Sequence, residues 1–211
     1  AVAFSLDGEA LVVNTDMLVE STDVLPGMTA ADVGWKAGVM GLSDLAAKGA
    51  RPYGVVVSLG LPDSTPEPYV SALVTGMNKA CREHGTYYLG GDTNRCSELV
   101  VSCTAIGSVP KSRLIHRSGA RPGDIIAVTG EFGYTGALFE VVLRRHDAPP
   151  SILRIIRERA LRPRARLNEG RALAEAGVVS AAIDSSDGLA WSLHEIANAS
   201  KVGFLVERLP I

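Results

Sequence analysis

Apolar residues along the chain fall into strand-sized runs separated by stretches with helical spacing. "EALVVNTD" (9–16) reads as a buried strand ending in polar residues. After a loop holding Pro26 and Gly27, Thr29 with Asp32 three residues on has the spacing of a capping box. It opens a helix to about Lys48, and Gly49 suits the left-handed position beyond its end. "PYGVVVSLG" (52–60) is the next strand. Thr65 caps a second helix, with Pro66 at its first position and Gly85 past its end. "TYYLGGD" (86–92) and "ELVVSCTAIGSV" (98–109) are two more strands, expected to pair as neighbours around a short turn. This β-α-β-α-β-β order predicts helices laid over one sheet.

The pattern breaks at "VPKSRLIHRSGARPGD" (109–124), basic and rich in Pro and Gly, so a domain boundary is expected near residue 110. Residues 1–110 then form one α/β domain and 111–211 a second. The second half reads as strand "DIIAVTG" (124–130), a glycine-rich turn, a helix through Arg145 and a Pro-Pro break. Two more helical stretches follow, then strand "VSAAID" (179–184), a helix from about Ser186 to Ser200, and strand "VGFLVERL" (202–209). No short-period repeat is visible. The fold class is α/β, in two successive halves.

Composition narrows the class. Only 5% of the 211 residues are aromatic against 46% hydrophobic, so the core is built from Ala, Val, Leu and Ile. No apolar run approaches the roughly 18 residues of a membrane span. Three cysteines form neither a C-x-x-C pair nor an even set, which points to a reducing cytoplasm. A net charge of -2 argues against generic nucleic-acid binding. The arginine-rich run "RIIRERALRPRAR" (154–166) lacks interleaved aromatics, so it does not change that. Both ends read as interior to a longer polypeptide: Ala1 opens an apolar segment, and "ERLPI" follows an expected strand.

Candidate chemistry centres on aspartates that end apolar elements: Asp16, Asp44, Asp92, Asp184 and Asp187. Each has a plain alternative as a turn or cap residue. Asp44 is the exception, because it sits inside an apolar helix where a carboxylate costs stability unless paired or bound to a cation. Lys48 at i+4 is its alternative partner. As a set, hard oxygen ligands suit Mg²⁺ or Ca²⁺ and not zinc. Five acids suggest more than one magnesium, and hence a polyphosphate for those ions to neutralise. Gly90 and Gly91, just before Asp92, fit either a close ligand approach or a tight turn. Arg117 is a phosphate-binding candidate or part of a solvated loop. The turn "TGEFGYTGAL" (129–138) matches neither a dinucleotide fingerprint nor a P-loop. The four histidines show no metal-ligand spacing, and covalent catalysis is not indicated.

Together, "NTDMLVES", "DVGWKAGVMGLSDLAAKGARP", "YYLGGDTNR", "HRSGARPGDIIAVTGEFGYTGAL", "RPRARLNEGRAL", "IDSSDGLAWSLHEIANASKVG" and "ERLP" resemble, in order and over nearly the whole chain, the thiamine-monophosphate kinases. Those belong to the aminoimidazole ribonucleotide synthetase superfamily. The resemblance implies ATP-dependent phosphorylation of thiamine monophosphate to thiamine diphosphate, by direct in-line transfer of the γ-phosphoryl group with several Mg²⁺. It implies a homodimer whose N-terminal sheets pair, with ATP-binding and dimerisation in residues 1–110 and an incomplete C-terminal α/β sandwich in 111–211. Carried over by motif, Asn14, Thr15, Asp16, Asp44, Asp92, Asp184 and Asp187 match metal positions. Gly91, Asp92, Arg117 and Ser186 match ATP-contacting positions. Asp23 stands where many members have histidine, and is expected to face the cationic thiazolium of the substrate.

The family's Gly-Asp-Asp-Ala segment would precede Ala1, and its Gly-Glu-Asp-Tyr segment would follow Ile211. The alternatives are another ATP-dependent enzyme of the superfamily, of selenophosphate-synthetase or hydrogenase-maturation type, and an ATP-binding regulator without catalysis.

Overall fold

The structure, a computed structural model, describes residues 1–211. Strands β1 (Val2–Leu6) and β2 (Glu9–Val19) form a hairpin. Its two-residue turn, Asp7-Gly8, has positive φ at both positions, 41° and 89°, as hairpins of the commonest kind require. β2 pairs antiparallel with β5 (Val100–Pro110), β5 antiparallel with β3 (Arg51–Leu61), and β3 parallel with β4 (Tyr88–Arg95). The order is therefore β1-β2-β5-β3-β4. The expected pairing of β4 with β5 does not occur. The helix between β3 and β4 makes a parallel crossover, which carries β4 to the outer edge of β3. β5 runs antiparallel to both β2 and β3 and fills the gap between them.

Helix α1 (Glu20–Asp23) is a single turn. Helix α2 (Ala30–Ala47) begins with the expected reciprocal capping box of Thr29 and Asp32, and Gly49 beyond its end has φ 68°. Helix α3 (Glu67–Glu83) is capped at Pro66, one residue later than expected, with no side-chain bond from Thr65. A proline there donates no amide, so the first turn loses nothing by it. α2 and α3 cross with their backbones almost touching. A Cβ on Gly34 would stand 1.9 Å from the Leu73 carbonyl oxygen, and one on Gly76 2.1 Å from that of Ala31. On the sheet side Val33, Leu42 and Leu45 are fully buried, against Val55, Val57, Val101 and Cys103. Burial pushes the Cys81 and Cys103 thiols up to about 11 and 12, so both are packing residues.

Sequence residues 111–211 pack onto α2 by a second set of close contacts. A short 3₁₀ turn at Lys111–Arg113 is followed by α4 (Tyr134–Val142), α5 (Pro150–Leu161), α6 (Leu167–Ala176) and α7 (Leu189–Ser200). A Cβ on Gly170 of α6 would lie 2.0 Å from the Ala46 carbonyl oxygen. Trp35 Nε1 donates to the Pro163 carbonyl at 2.8 Å, and Arg162 Nε to Asp32 Oδ1 at 2.9 Å. The expected strands at 124–130, 179–184 and 202–209 form no ladder. Extended segments become strands only beside a hydrogen-bonding neighbour, and here isolated bonds are all they make. Ala182 N donates to the His116 carbonyl, and Ile125 is 93% exposed. The helix expected to reach Arg145 stops at Val142, and Arg145 itself has φ 58°. The fold is mixed α/β, and no helix is long and apolar enough to cross a membrane.

The α2–α3 contact yields a prediction. Gly76→Ala forces a methyl group into backbone, and should lower stability by about 2–3 kcal/mol, read as a fall in the urea midpoint with an unchanged slope.

Candidate active site

Alternation along β2 decides which of its polar residues share a face. Val12, Asn14, Asp16 and Leu18 point toward the helices, while Val13, Thr15 and Met17 point to the uncovered face. Asn14 is 7% exposed, and its Nδ2 donates to Asp16 Oδ2 at 2.6 Å. Asp44, on α2, has a side chain only 16% exposed. No ion pair forms between Asp44 and Lys48, the alternative partner one turn on. Asp184 comes from the loop before α7.

The electrostatics identify which acids are neighbours. Burial pushes the Asp184 carboxyl up to about 6, the charges of Asp44 and Asp16 add to this, and a bond from Ser43 opposes it. The Asp16 carboxyl is raised too, first by burial, with Asp44 and Asp187 adding and the Asn14 bond opposing. Lys48 is lowered by burial and by the Arg117 guanidinium, against the pull of Asp44 and Asp184. Arg117 itself bonds Glu195 of α7 at 2.8 Å. Four acids from β2, α2 and the 184–187 loop therefore occupy one region, edged by two cations. Ser43 and Lys48 belong to it as well. Their signal in the sequence was their place beside, and one helical turn after, Asp44.

Other candidate residues lie elsewhere or are otherwise engaged. Asp92 is in register with Ser58, Ser102 and Met17, whereas Asp16 is in register with Cys103, Val57 and Gly91. Asp92 and Thr15 thus share the uncovered face, three strand spacings or roughly 14 Å across the sheet in the case of Asp92. Asp92 Oδ1 accepts from its neighbour Thr93 N, and Thr15 bonds Thr104. Gly91 is not in a turn: a Cβ there would overlap the Val57 carbonyl oxygen at 1.6 Å, so close strand packing explains the glycine. Gly90, with φ 115°, has open space around it. Ser186 is exposed in the 184–187 loop. α7 is capped by Gly188 without a side-chain bond, so neither Asp184, Ser186 nor Asp187 is its cap. Asp23 Oδ2 accepts from Val19 N and Thr22 Oγ1, and Lys36 Nζ holds its carbonyl at 2.9 Å.

No three acidic, histidine or cysteine side chains stand close enough to ligate one ion by themselves. The donors in the Asp16–Asp44–Asp184 region are nevertheless all oxygens plus the Asn14 amide, and the charge of Asp44 helps raise the carboxyls of both Asp16 and Asp184. That chemistry fits hard cations that keep water and phosphate oxygens among their ligands, as Mg²⁺ does.

Two family models match the chain, AIR synthase related protein, N-terminal domain, over residues 1–109, and AIR synthase related protein, C-terminal domain, over residues 121–211. The chain belongs to the AIR synthase related family. Within it, the chain resembles the thiamine-monophosphate kinases in particular. That of Pyrococcus horikoshii is 39% identical over 203 residues, covering 95% of this chain and 63% of the relative. The structure described as "AaThiL complexed with AMPPCP and TMP" superposes with a TM-score of 0.87 at 28% identity, covering 94% of this chain and 63% of that one. The thiamine monophosphate kinase of Aquifex aeolicus gives 0.84 at 28%, over 94% and 66%. The chain spans under two thirds of the length of these relatives.

The Asp184 shift has a checkable sign. Its pKa when folded, about 6, lies above that of an unfolded aspartate, so the fold is favoured by the protonated form and loses that contribution as pH rises through 6. Asp184→Asn should therefore stabilise the metal-free protein by on the order of 1–2 kcal/mol at pH 8. The gain should vanish by about pH 4, as measured by chemical unfolding across that range.

Proposed function

We propose that this protein transfers the γ-phosphoryl group of ATP to thiamine monophosphate, giving thiamine diphosphate and ADP. The observation that carries the reading is the crowding of Asp16, Asp44 and Asp184, which repel one another when all are ionised. Holding such a group together costs stability, and cations brought with a polyphosphate substrate would offset it. The relatives' names and the AMPPCP and TMP complex support the choice of substrates.

The nucleophile is an oxygen of the substrate's own phosphate, largely ionised at pH 7 because its second pKa is near 6. No general base is needed, in keeping with a site that holds no histidine. The barrier is repulsion between two anions, which positioning in line and charge neutralisation overcome. Asp16, Asp44, Asp184 and Asp187, with Asn14, would hold several Mg²⁺, which would supply that neutralisation. Arg117 and Lys48 add positive charge at the rim, and Ser186 lies at hand for the nucleotide. We assign Asp23 to the thiazolium, through the carboxylate oxygen that makes no local bond.

The uncovered sheet face bears Val2, Phe4, Leu6 and Met17, each 58–60% exposed, beside Leu11 and Val13. An apolar face of that kind suits a homodimer in which two sheets meet. Thr15 and Asp92 would then contribute metal and nucleotide contacts from the face the dimer covers, and Gly91 a nucleotide contact through its backbone. We assign residues 1–110 to the ATP-binding and dimerisation domain and 111–211 to a second domain. Three unpaired thiols are in keeping with a reducing cytoplasm.

The test is to incubate the full-length protein with ATP, Mg²⁺ and thiamine monophosphate and to separate the products by chromatography. Thiamine diphosphate should form, and Asp16→Asn and Asp44→Asn should each lower kcat about a hundredfold or more. Binding of ATP without diphosphate product would point instead to a regulator. Undiminished turnover in both variants would remove the metal assignment.

A further inference from the structure

A cavity of about 630 Å³ opens where the end of α3, the start of β3 and the segment entering α6 meet. It shares no residue with the aspartate region. Arg51, Arg82, Arg164, Arg166 and Arg171 line it, against only two glutamates, Glu83 and Glu169. In a chain whose net charge is -2, that is a marked local excess of positive charge.

The acids satisfy these arginines only in part, through one long hydrogen bond from Arg166 to Glu169. Arg164 stands 3.7 Å from Glu83 and Arg166 3.4 Å from Glu169, well beyond the roughly 2.7–2.9 Å of a charge-assisted hydrogen bond. Arg51, Arg82 and Arg171 have no carboxylate within 4 Å. Arg82 instead lies over the Tyr87 ring, 4.6 Å from its centre. A smaller cavity of about 320 Å³ shares Arg51 and Arg171 and adds Arg113, but there Glu9 and Glu175 offset the arginines, so the excess of positive charge is concentrated in the first.

The backbone that carries Arg164 and Arg166 is fixed. His84 Nε2 accepts from Ala165 N at 3.0 Å while its Nδ1 bonds the Ala80 carbonyl at 2.7 Å, tying the arginine-bearing segment to the end of α3. The Trp35 bond to Pro163 holds the same segment from the α2 side. Guanidinium groups gathered on a rigid wall repel one another unless an anion lies between them. Their planar forks match phosphate oxygens two at a time.

We propose that this cavity is a second ligand site, for a small, multiply charged anion of the phosphate class, such as the polyphosphate group of a metabolite. The lining is too polar for an apolar ligand, with only Ala165 and Leu167 hydrophobic. It also fails to continue as a nucleic-acid track. Of the arginine run at 154–166, Arg162 is tied to Asp32 and Arg159 lies 6.0 Å from the Tyr134 ring centre, so only Arg164 and Arg166 reach the cavity. The site does not depend on the kinase reading, because its residues are separate from those of the aspartate region.

The test is calorimetric titration of the full-length protein with inorganic pyrophosphate at 0.15 M salt, with EDTA present so that the aspartates cannot bind phosphate through metal. Saturable binding with one site per chain is expected. The Arg51→Gln/Arg171→Gln variant should weaken it about tenfold or more, Arg51→Lys/Arg171→Lys should do so less, and Asp16→Asn should leave it unchanged. Because Arg51, Arg82 and Arg171 are exposed and unpaired, these variants should keep the wild-type circular dichroism. Arg82→Gln provides an independent single change with the same expected direction. Absence of saturable binding, or binding lost in Asp16→Asn and kept in the arginine variants, overturns the proposal. So does tighter binding of a single-stranded oligonucleotide than of pyrophosphate with the same arginine dependence.

Discussion

The close approach of α2 to its neighbours is the constraint on which the rest of the structure depends. Glycines at 34 and 76 let α2 and α3 meet at backbone distance, and glycine at 170 lets α6 do the same at the far end of α2. Its sheet-facing side is sealed by Val33, Leu42 and Leu45, each contributing roughly 1.5–3 kcal/mol on burial. A helix gripped on three sides can hold a carboxylate in a poorly solvated place without swinging it out to water. Asp44 depends on that grip.

The aspartate region spends stability on charge. Asp184 and Asp16 are both harder to ionise in the fold than in water, from burial first and then from the charge of Asp44, with Asp16 adding to the effect on Asp184 and Asp187 to that on Asp16. A sequence selected for stability alone would not gather acids beside buried apolar surface. The Asn14 bond, Ser43, Lys48 and Arg117 moderate the cost without abolishing it, and the remainder is what a cation-bearing phosphate substrate would relieve.

Local signals were legible wherever they act over a few residues. The Thr29–Asp32 capping box, the glycines ending α2 and α3, and the strands at 9–19, 51–61 and 100–110 follow from spacing and turn chemistry. The β1–β2 hairpin is not among the elements expected from the sequence: its one local signal, Asp7-Gly8, is shorter than the hydrophobic runs around it. In the second half the sequence pattern predicts more strand than forms. Its apolar segments at 124–130, 179–184 and 202–209 have strand-like composition, but extended backbone becomes sheet only by pairing, and pairing is non-local.

The sequence by itself determined the family likeness, the core composition, and the candidate aspartates, because residue type and short spacing are local properties. Tertiary structure decided which aspartates are neighbours. Asp16 and Asp92 look equivalent in the chain, each ending an apolar strand. The inserted β5 and the one-residue difference in register put them three strands apart and on opposite faces of one sheet. Side chains alternate every residue along a strand, so a single step of register, invisible in either segment alone, separates a carboxylate facing the helices from one facing solvent.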